Sequence, residues 1–222
     1  MCTATNITLS DSERLLCDDG RSPHSDEMPS TLDIASELIM RVQQEAQPPI
    51  FTIGYGKRSI GKFILELTRQ KIEYLIDVRS VPYSRFSPAF NREMFSLSLD
   101  QHGVKYVFMG EVLGGRPRDS TCYVDGKVDY NRCSATTWFK EGIDRLRTAW
   151  QKRLRVAIMC SEGRPEDCHR SKLIGQVLAK EGIEVVHIDE NSALKTHREV
   201  ISLLTNGRFD LKFTSRKRYL PK

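Results

Sequence analysis

Five short runs rich in β-branched and other apolar residues punctuate the chain beyond Pro49, and segments with helical spacing separate them. The runs are FTIGYG (51–56), EYLIDVRS (73–80), KYVFMG (105–110), LRVAIMCS (154–161) and IEVVHID (183–189). Continuous rather than alternating apolar character means burial on both faces, which a strand attains in a parallel sheet covered by helices. The pattern predicts an α/β fold: a Rossmann-like open, mainly parallel sheet of about five strands with helices on both faces. Helices are expected near 59–70, 91–102, 135–152, 165–181 and 194–205. The third carries Trp138, Phe139, Ile143, Leu146 and Trp150 on one side, and Gly182 reads as the stop of the fourth.

In such sheets, loops and helix N-termini converge beyond the carboxyl ends of the strands, and ligands collect there. The predicted strand ends deliver Gly54, Tyr55 and Gly56; Asp77, Val78 and Arg79; Gly110 and Glu111; and Cys160, Ser161 and Glu162. Four strands thus bring polar or glycine residues to one rim.

The densest stretch is MCSEGRPEDCHRSKLIGQVLAK, 159–180. Cys160 ends a strand, and Pro165 suits the first turn of the following helix. A thiol facing a helix N-terminus feels the positive end of the dipole, which lowers its pKa below about 8.5. The alternative is a buried, inert cysteine at the end of a core strand. Glu162 beside it is either a nucleophile or general base, or a first-turn acid; Glu166 and Asp167 are explained by the helix terminus and by Arg164 and Arg170. The spacing of Cys160, Cys168 and His169 is not that of paired zinc ligands. Adjacent helical residues also diverge by about 100°, so no metal is expected.

A second stretch, DVRSVPYSRFSPAFNREMF (77–95), sets Asp77 and Arg79 on a strand end and Arg85 in a loop stiffened by Pro82 and Pro88. It is read either as an internal ion pair or as an arginine clamp on an anion, for which planar guanidinium groups are suited. Asn91 stands where a helix cap is wanted. A third, GEVLGGRPRD (110–119), carries Glu111, Gly114 and Gly115, with Arg116 and Arg118 beyond. The glycine pair permits close approach of backbone to a ligand, although such pairs mostly make turns. Neither the dinucleotide nor the P-loop glycine signature is present, and no cofactor is expected.

The net charge is +5 and the pI about 8.9, compatible with an anionic small molecule or a nucleic acid as partner. The chain has no apolar run of the roughly 18 residues needed to cross a bilayer and no secretory signal at its start, so no membrane association and a cytoplasmic location are expected. Its six cysteines, without disulfide-framework spacing, are expected as free thiols. Residues 1–29 have the composition of a disordered tail. Leu32, Ala35, Leu38, Ile39 and Val42 space an amphipathic helix within 30–48 that ends at Pro48-Pro49 and offers a face for a protein partner. The main domain runs from 49 to 206, and residues 207–222 form a basic C-terminal tail, read as solvated.

In order along the chain, FTIGYGKRS, IDVRSVPYSRFSPAFN, YVFMGEVLGGR and AIMCSEGRPEDCHRSKLIGQVL, followed by EVVHI, resemble the domain-of-unknown-function family 488 over about residues 50–205. Val112 is an insertion relative to the E-L-G-G that many members carry. The resemblance implies an α/β domain with a site lined by the shared motifs, and it implies no particular reaction. The motif positions here are Gly54, Asp77, Arg79, Arg85, Asn91, Glu111, Gly114, Gly115, Cys160, Glu162, Cys168, His169 and Arg170.

These readings make the chain an enzyme acting on a phosphorylated or nucleotide-related substrate at the carboxyl edge of the sheet. Arg79, Arg85 and Arg170 bind, and Cys160 or Glu162, with Asp77, reacts. A rhodanese-like or phosphatase-like cysteine enzyme is a rival suggested by LIDVRS followed by CSEGR. Those loops, however, place an arginine five or six residues after the cysteine, where this chain has Pro165 and Glu166. A non-enzymatic nucleic-acid or protein-binding module is the third reading.

Overall fold

A computed structural model describes residues 47–205, 213–215 and 217–219, which lie within one compact unit, 46–222. The expected N-terminal tail and amphipathic helix lie outside the described residues, as does much of the basic C-terminal segment.

Six strands form the main sheet: β1 (Ile50–Gly54), β2 (Tyr74–Asp77), β3 (Lys105–Phe108), β6 (Val156–Cys160), β7 (Val185–Ile188) and β8 (Leu194–Thr196), in the order β3-β2-β6-β1-β7-β8. The first five are mutually parallel, and β8 runs antiparallel against β7. The expected five-stranded Rossmann-like core is therefore present with one added edge strand. A small hairpin, β4 (Tyr123–Val124) and β5 (Lys127–Val128), completes the strands among the described residues. Its turn holds Asp125 and Gly126 at φ of 50° and 73°.

The central strands divide their side chains between two cores. Val156, Ile158 and Cys160 of β6 enter one, and Ala157 and Met159 enter the other. The first core is closed by α3 (Gly110–Leu113), α5 (Thr137–Gln151) and α6 (Gln176–Lys180), through Leu113, Phe139, Ile143, Leu146 and Leu178. The second is closed by α1 (Ile60–Arg69) and α2 (Arg92–Asp100), through Phe63, Leu67, Phe95 and Leu99. Burial on both faces explains why these strands read as continuous apolar runs rather than as alternation.

Several boundaries differ from the sequence expectation. The helix expected over 165–181 is broken. A 3₁₀ turn at Pro165–Asp167 is followed by Cys168 in extended conformation (φ −113°, ψ 149°), and a π-helical turn, Arg170–Gly175, then leads into α6. The Ser171 hydroxyl donates to the Pro165 and Cys168 carbonyls, an alternative to the helical ladder. The helix expected at 135–152 is present as α5, capped by Thr136, whose hydroxyl accepts from Phe139 N, and a short unexpected helix, α4 (Tyr130–Ala135), precedes it. The helix expected from 194 starts at His197 (α7, His197–Thr205), because Leu194–Thr196 pairs with β7. Gly182, at φ 77°, follows α6 as expected.

The C-terminal residues that the structure describes are not solvated tail. Ser215 N donates to Val128 O and its hydroxyl accepts from Val128 N; Tyr219 N donates to Gly126 O. The segment is thereby laid along the β4–β5 hairpin.

Candidate functional site at the carboxyl edge of the sheet

Strand order places β6 between β1 and β2, so Gly54, Asp77 and Cys160 end neighbouring strands: Gly54 is in register with Cys160, and Asp77 with Met159. A cleft of about 1130 Å³ opens above this edge. Eight of its lining residues are Lys or Arg, and four are Asp or Glu.

The loop after β6 brings three sulfur and nitrogen groups and one carboxylate into the cleft wall. Cys160 Sγ donates to Glu162 Oε2 at 3.2 Å and lies 3.7 Å from His169 Nδ1. Cys168 Sγ is 3.6 Å from the same Nδ1 and 3.9 Å from Glu162 Oε2. The Ser161 hydroxyl also donates to Glu162 Oε2, at 2.9 Å. His169 Nε2 meets the Val78 carbonyl at 3.2 Å, and since a carbonyl only accepts, Nε2 carries the proton there. Burial and the Cys168 contact differ in their effects along this chain of groups. The hydrogen bond with Cys168 and then burial push the Cys160 thiol well above the ordinary cysteine range. Burial disfavours the Glu162 carboxylate, but the Cys160 and Ser161 donors and the nearby His169 outweigh it and lower its pKa. For Cys168, burial is outweighed by the Cys160 hydrogen bond and by Arg170, and the net direction is down. For His169, burial is outweighed by Cys160 and Glu162, and the net direction is up.

Two sequence arguments fail here for one reason. The expected helix N-terminus behind Cys160 is replaced by the 3₁₀ turn and an extended residue, so no helix dipole depresses that thiol. The same extended Cys168 removes the divergence of adjacent helical side chains that argued against a metal: Cys160, Cys168 and His169 present ligand atoms within 4.8 Å of one another.

The sequence-predicted binding residues separate into those at the cleft and those that hold it. Arg170 is fully buried and donates to the carbonyls of Glu162 and Gly163, fixing the loop rather than facing a ligand. Gly54 is required by the same loop: a Cβ there would lie 1.6 Å from the Glu162 carbonyl oxygen. Asp77 is fully buried and accepts from Arg79 N and Nε and, at 2.6 Å each, from Arg79 Nη2 and the Tyr106 hydroxyl. It is saturated as an acceptor, is not among the described cleft-lining residues, and positions Arg79. Arg79 does line the cleft. Its Nη2 is also bonded to Phe90 O, while its buried Nη1 has no partner among the described residues. Arg79 thus forms the expected ion pair and also lines the cleft.

Arg85 and Glu111 are exposed and are not among the cleft-lining residues. Asn91 stands at the N-cap of α2, but its side chain accepts from Ser84 N at 2.7 Å and ties the preceding loop instead. Gly114 packs against protein, whereas Gly115 lines the cleft and also packs on the His169 ring. A Cβ on Gly114 would strike the Gly110 carbonyl and Ser80 Oγ, and one on Gly115 would strike the His169 ring at 2.7 Å.

The basic lining includes Lys57 and Arg58 after β1, Arg116 after the glycine pair and Lys217 from the C-terminal segment. The signal for the first two was their position directly beyond a strand end, in GYGKRS. Arg58 donates to the Gly54 and Asp189 carbonyls, and Arg116 lies 5.0 Å from the centre of the Tyr219 ring. Lys217 and Tyr219 belong to the segment read as a basic solvated tail, because nothing local shows that it returns to the hairpin.

Fold and site together define a Rossmann-like α/β protein with a cysteine, histidine and carboxylate cluster at the floor of a basic cleft. The chain belongs to the family described as domain of unknown function DUF488, whose model matches residues 59–177. No curated protein and no solved structure matches it significantly. Among the described residues no helix is long and apolar enough to cross a membrane.

Proposed function

We propose that the protein is an enzyme that acts on a phosphorylated or nucleotide-related substrate in the cleft, with Glu162 as the group that takes or gives the proton. The observation that carries this reading is the position of Glu162: its carboxylate is held by two short-range donors on the floor of a cleft whose charged lining is mostly cationic. Arg79, Lys57 and Arg116 line the cleft and supply cationic groups for an anionic ligand. Cys160 donates to Glu162 and serves to orient it. The rhodanese-like and phosphatase-like reading loses support, since those loops need free backbone N–H groups around an anion, and here a carboxylate occupies the position next to the thiol.

The test is turnover of a panel of phosphomonoesters, phosphodiesters and nucleotides by the full chain, with binding of ADP and pyrophosphate measured across a salt series. Saturable, salt-weakened binding is expected, and E162Q should lower turnover about 10²–10⁴-fold, the range for loss of a positioned acid or base. Absence of both binding and turnover across the panel refutes the proposal.

A further inference from the structure

We infer that Cys160, Cys168 and His169 form a binding site for one soft or borderline divalent cation of the Zn²⁺ class, with Glu162 Oε2 completing the coordination shell. A tetrahedral zinc ion, with Zn–S near 2.3 Å and Zn–N near 2.0–2.1 Å, separates a sulfur ligand from a nitrogen ligand by about 3.5 Å. His169 Nδ1 lies 3.7 Å from Cys160 Sγ and 3.6 Å from Cys168 Sγ, within about 0.2 Å of that separation on both sides. All three ligand atoms fall within 4.8 Å of one another. Zinc–carboxylate bonds of about 2.0–2.2 Å ask for much the same spacing between oxygen and sulfur. Glu162 Oε2 stands 3.2 and 3.9 Å from the two sulfurs and so brackets it.

The surroundings are those of a prepared ligand set. His169 Nε2–H donates to the Val78 carbonyl, which leaves Nδ1 with its lone pair directed at the two sulfurs; a ligating histidine is commonly oriented by such an outer bond. Gly115 leaves the room that the ring occupies. Arg170 N donates to Cys168 Sγ at 3.5 Å, and the Arg170 guanidinium pins the Glu162 carbonyl from behind. Ligands from three successive local conformations, a strand end, an extended residue and the start of a π turn, explain why no familiar zinc spacing is visible in the sequence. Binding converts both thiols to thiolates and releases their two protons.

The cation and the proposed proton transfer compete for Glu162 Oε2, since a cation-bound Oε2 loses the Cys160 donor and its basicity, and cation binding stands whether or not a phosphorylated substrate is turned over. The test uses the full chain carrying C2S and C17S, so that the N-terminal thiols contribute nothing, reduced and stripped with chelator, then titrated with Co²⁺ and with Zn²⁺ against a chromophoric chelator. One equivalent is expected, with thiolate-to-cobalt charge-transfer absorption that Zn²⁺ abolishes. C160S, C168S and H169Q should each weaken binding by at least the 10–100-fold that loss of a supporting group costs. A C122S/C133S variant should retain it. X-ray absorption of the zinc-loaded protein, which needs none of the ligand variants to fold, should give two sulfur and two nitrogen or oxygen neighbours. No stoichiometric binding, or a first shell without sulfur, overturns the inference.

Discussion

The guanidinium of Arg170 donates to the main-chain carbonyl of Glu162 and, at 2.8 Å, to that of Gly163, so the loop that carries the proposed reacting carboxylate is held by a side chain with no exposure to solvent. Lysine keeps the charge but is a point donor that cannot span two carbonyls. R170K should therefore destabilise the domain by about 1–3 kcal/mol, the cost of a buried acceptor left unsatisfied. Chemical denaturation reads the loss. An R170K protein of unchanged stability would show that the loop does not need this anchor.

Glycine at 54 is demanded by the same loop. G54A would place a Cβ within bonding distance of a backbone carbonyl that Arg170 restrains, so the cost should reach or exceed the upper end of about 1–3 kcal/mol for overpacking. Gly61 in α1 has no atom within 4 Å of its virtual Cβ, and G61A should stabilise by up to about 1 kcal/mol from helix propensity alone. Melting temperatures moving in opposite directions for the two variants would establish the contrast. Equal shifts would contradict it.

Asp77 and Arg79 form an ion pair at 2.6 Å with both side chains almost fully buried. D77N leaves the Arg79 charge without its counterpart and should cost about 3–5 kcal/mol. Y106F, which removes one hydrogen bond to the same carboxylate, should cost about 1.5–3 kcal/mol. Denaturation midpoints should fall in that order. If D77N instead abolished turnover at unchanged stability, Asp77 would belong to the reaction after all.

Histidines 187 and 197 form a buried pair, Nε2 to Nδ1 at 3.0 Å, with Thr52 Oγ1 at 2.7 Å from the far side of His187. Burial pushes His197 down to about 4 and, with the neighbouring His197 and Arg170, pushes His187 well below its ordinary value. Both rings are thus neutral in the fold, while the unfolded chain takes up their protons below about pH 6.5. Stability should be full above pH 6.5 and fall as pH drops, by up to about 1.4 kcal/mol per unit for each ring, down to about 4 for His197. Urea midpoints between pH 7.5 and 5.5 measure this, and H197Q should flatten the slope. A midpoint that is constant over that range would refute it.

The parallel core was legible in the sequence because its central strands are buried on both sides and therefore uniformly apolar. The antiparallel edge strand and the hairpin were not: Leu194–Thr196 contributes three residues of mixed polarity, and the β4–β5 hairpin is two residues a side. The rim residues Cys160 and Glu162 were found from their place at the end of β6. Cys168 and His169 were separated from them because the segment looked like one helix, and only the extended conformation of Cys168 returns them to the strand end. The three arginines of the predicted clamp were equivalent in sequence. Burial divides them: Arg170 supports the loop, Arg79 joins its ion pair to the cleft, and Arg85 stays exposed.

The insertion of β6 between β1 and β2 has a kinetic consequence. Its partners are made about a hundred and about eighty residues earlier, so closing the sheet joins segments far apart along the chain, a topology that folds slowly. The strand that ends in Cys160 is also the one that must enter a gap between strands already synthesised. The contacts among Cys160, Glu162, Cys168 and His169 are local to the chain, so what waits on sheet assembly is their seating: the Val78 carbonyl that holds His169 and the Gly54 backbone that packs on Glu162 arrive only when β6 lies between β2 and β1.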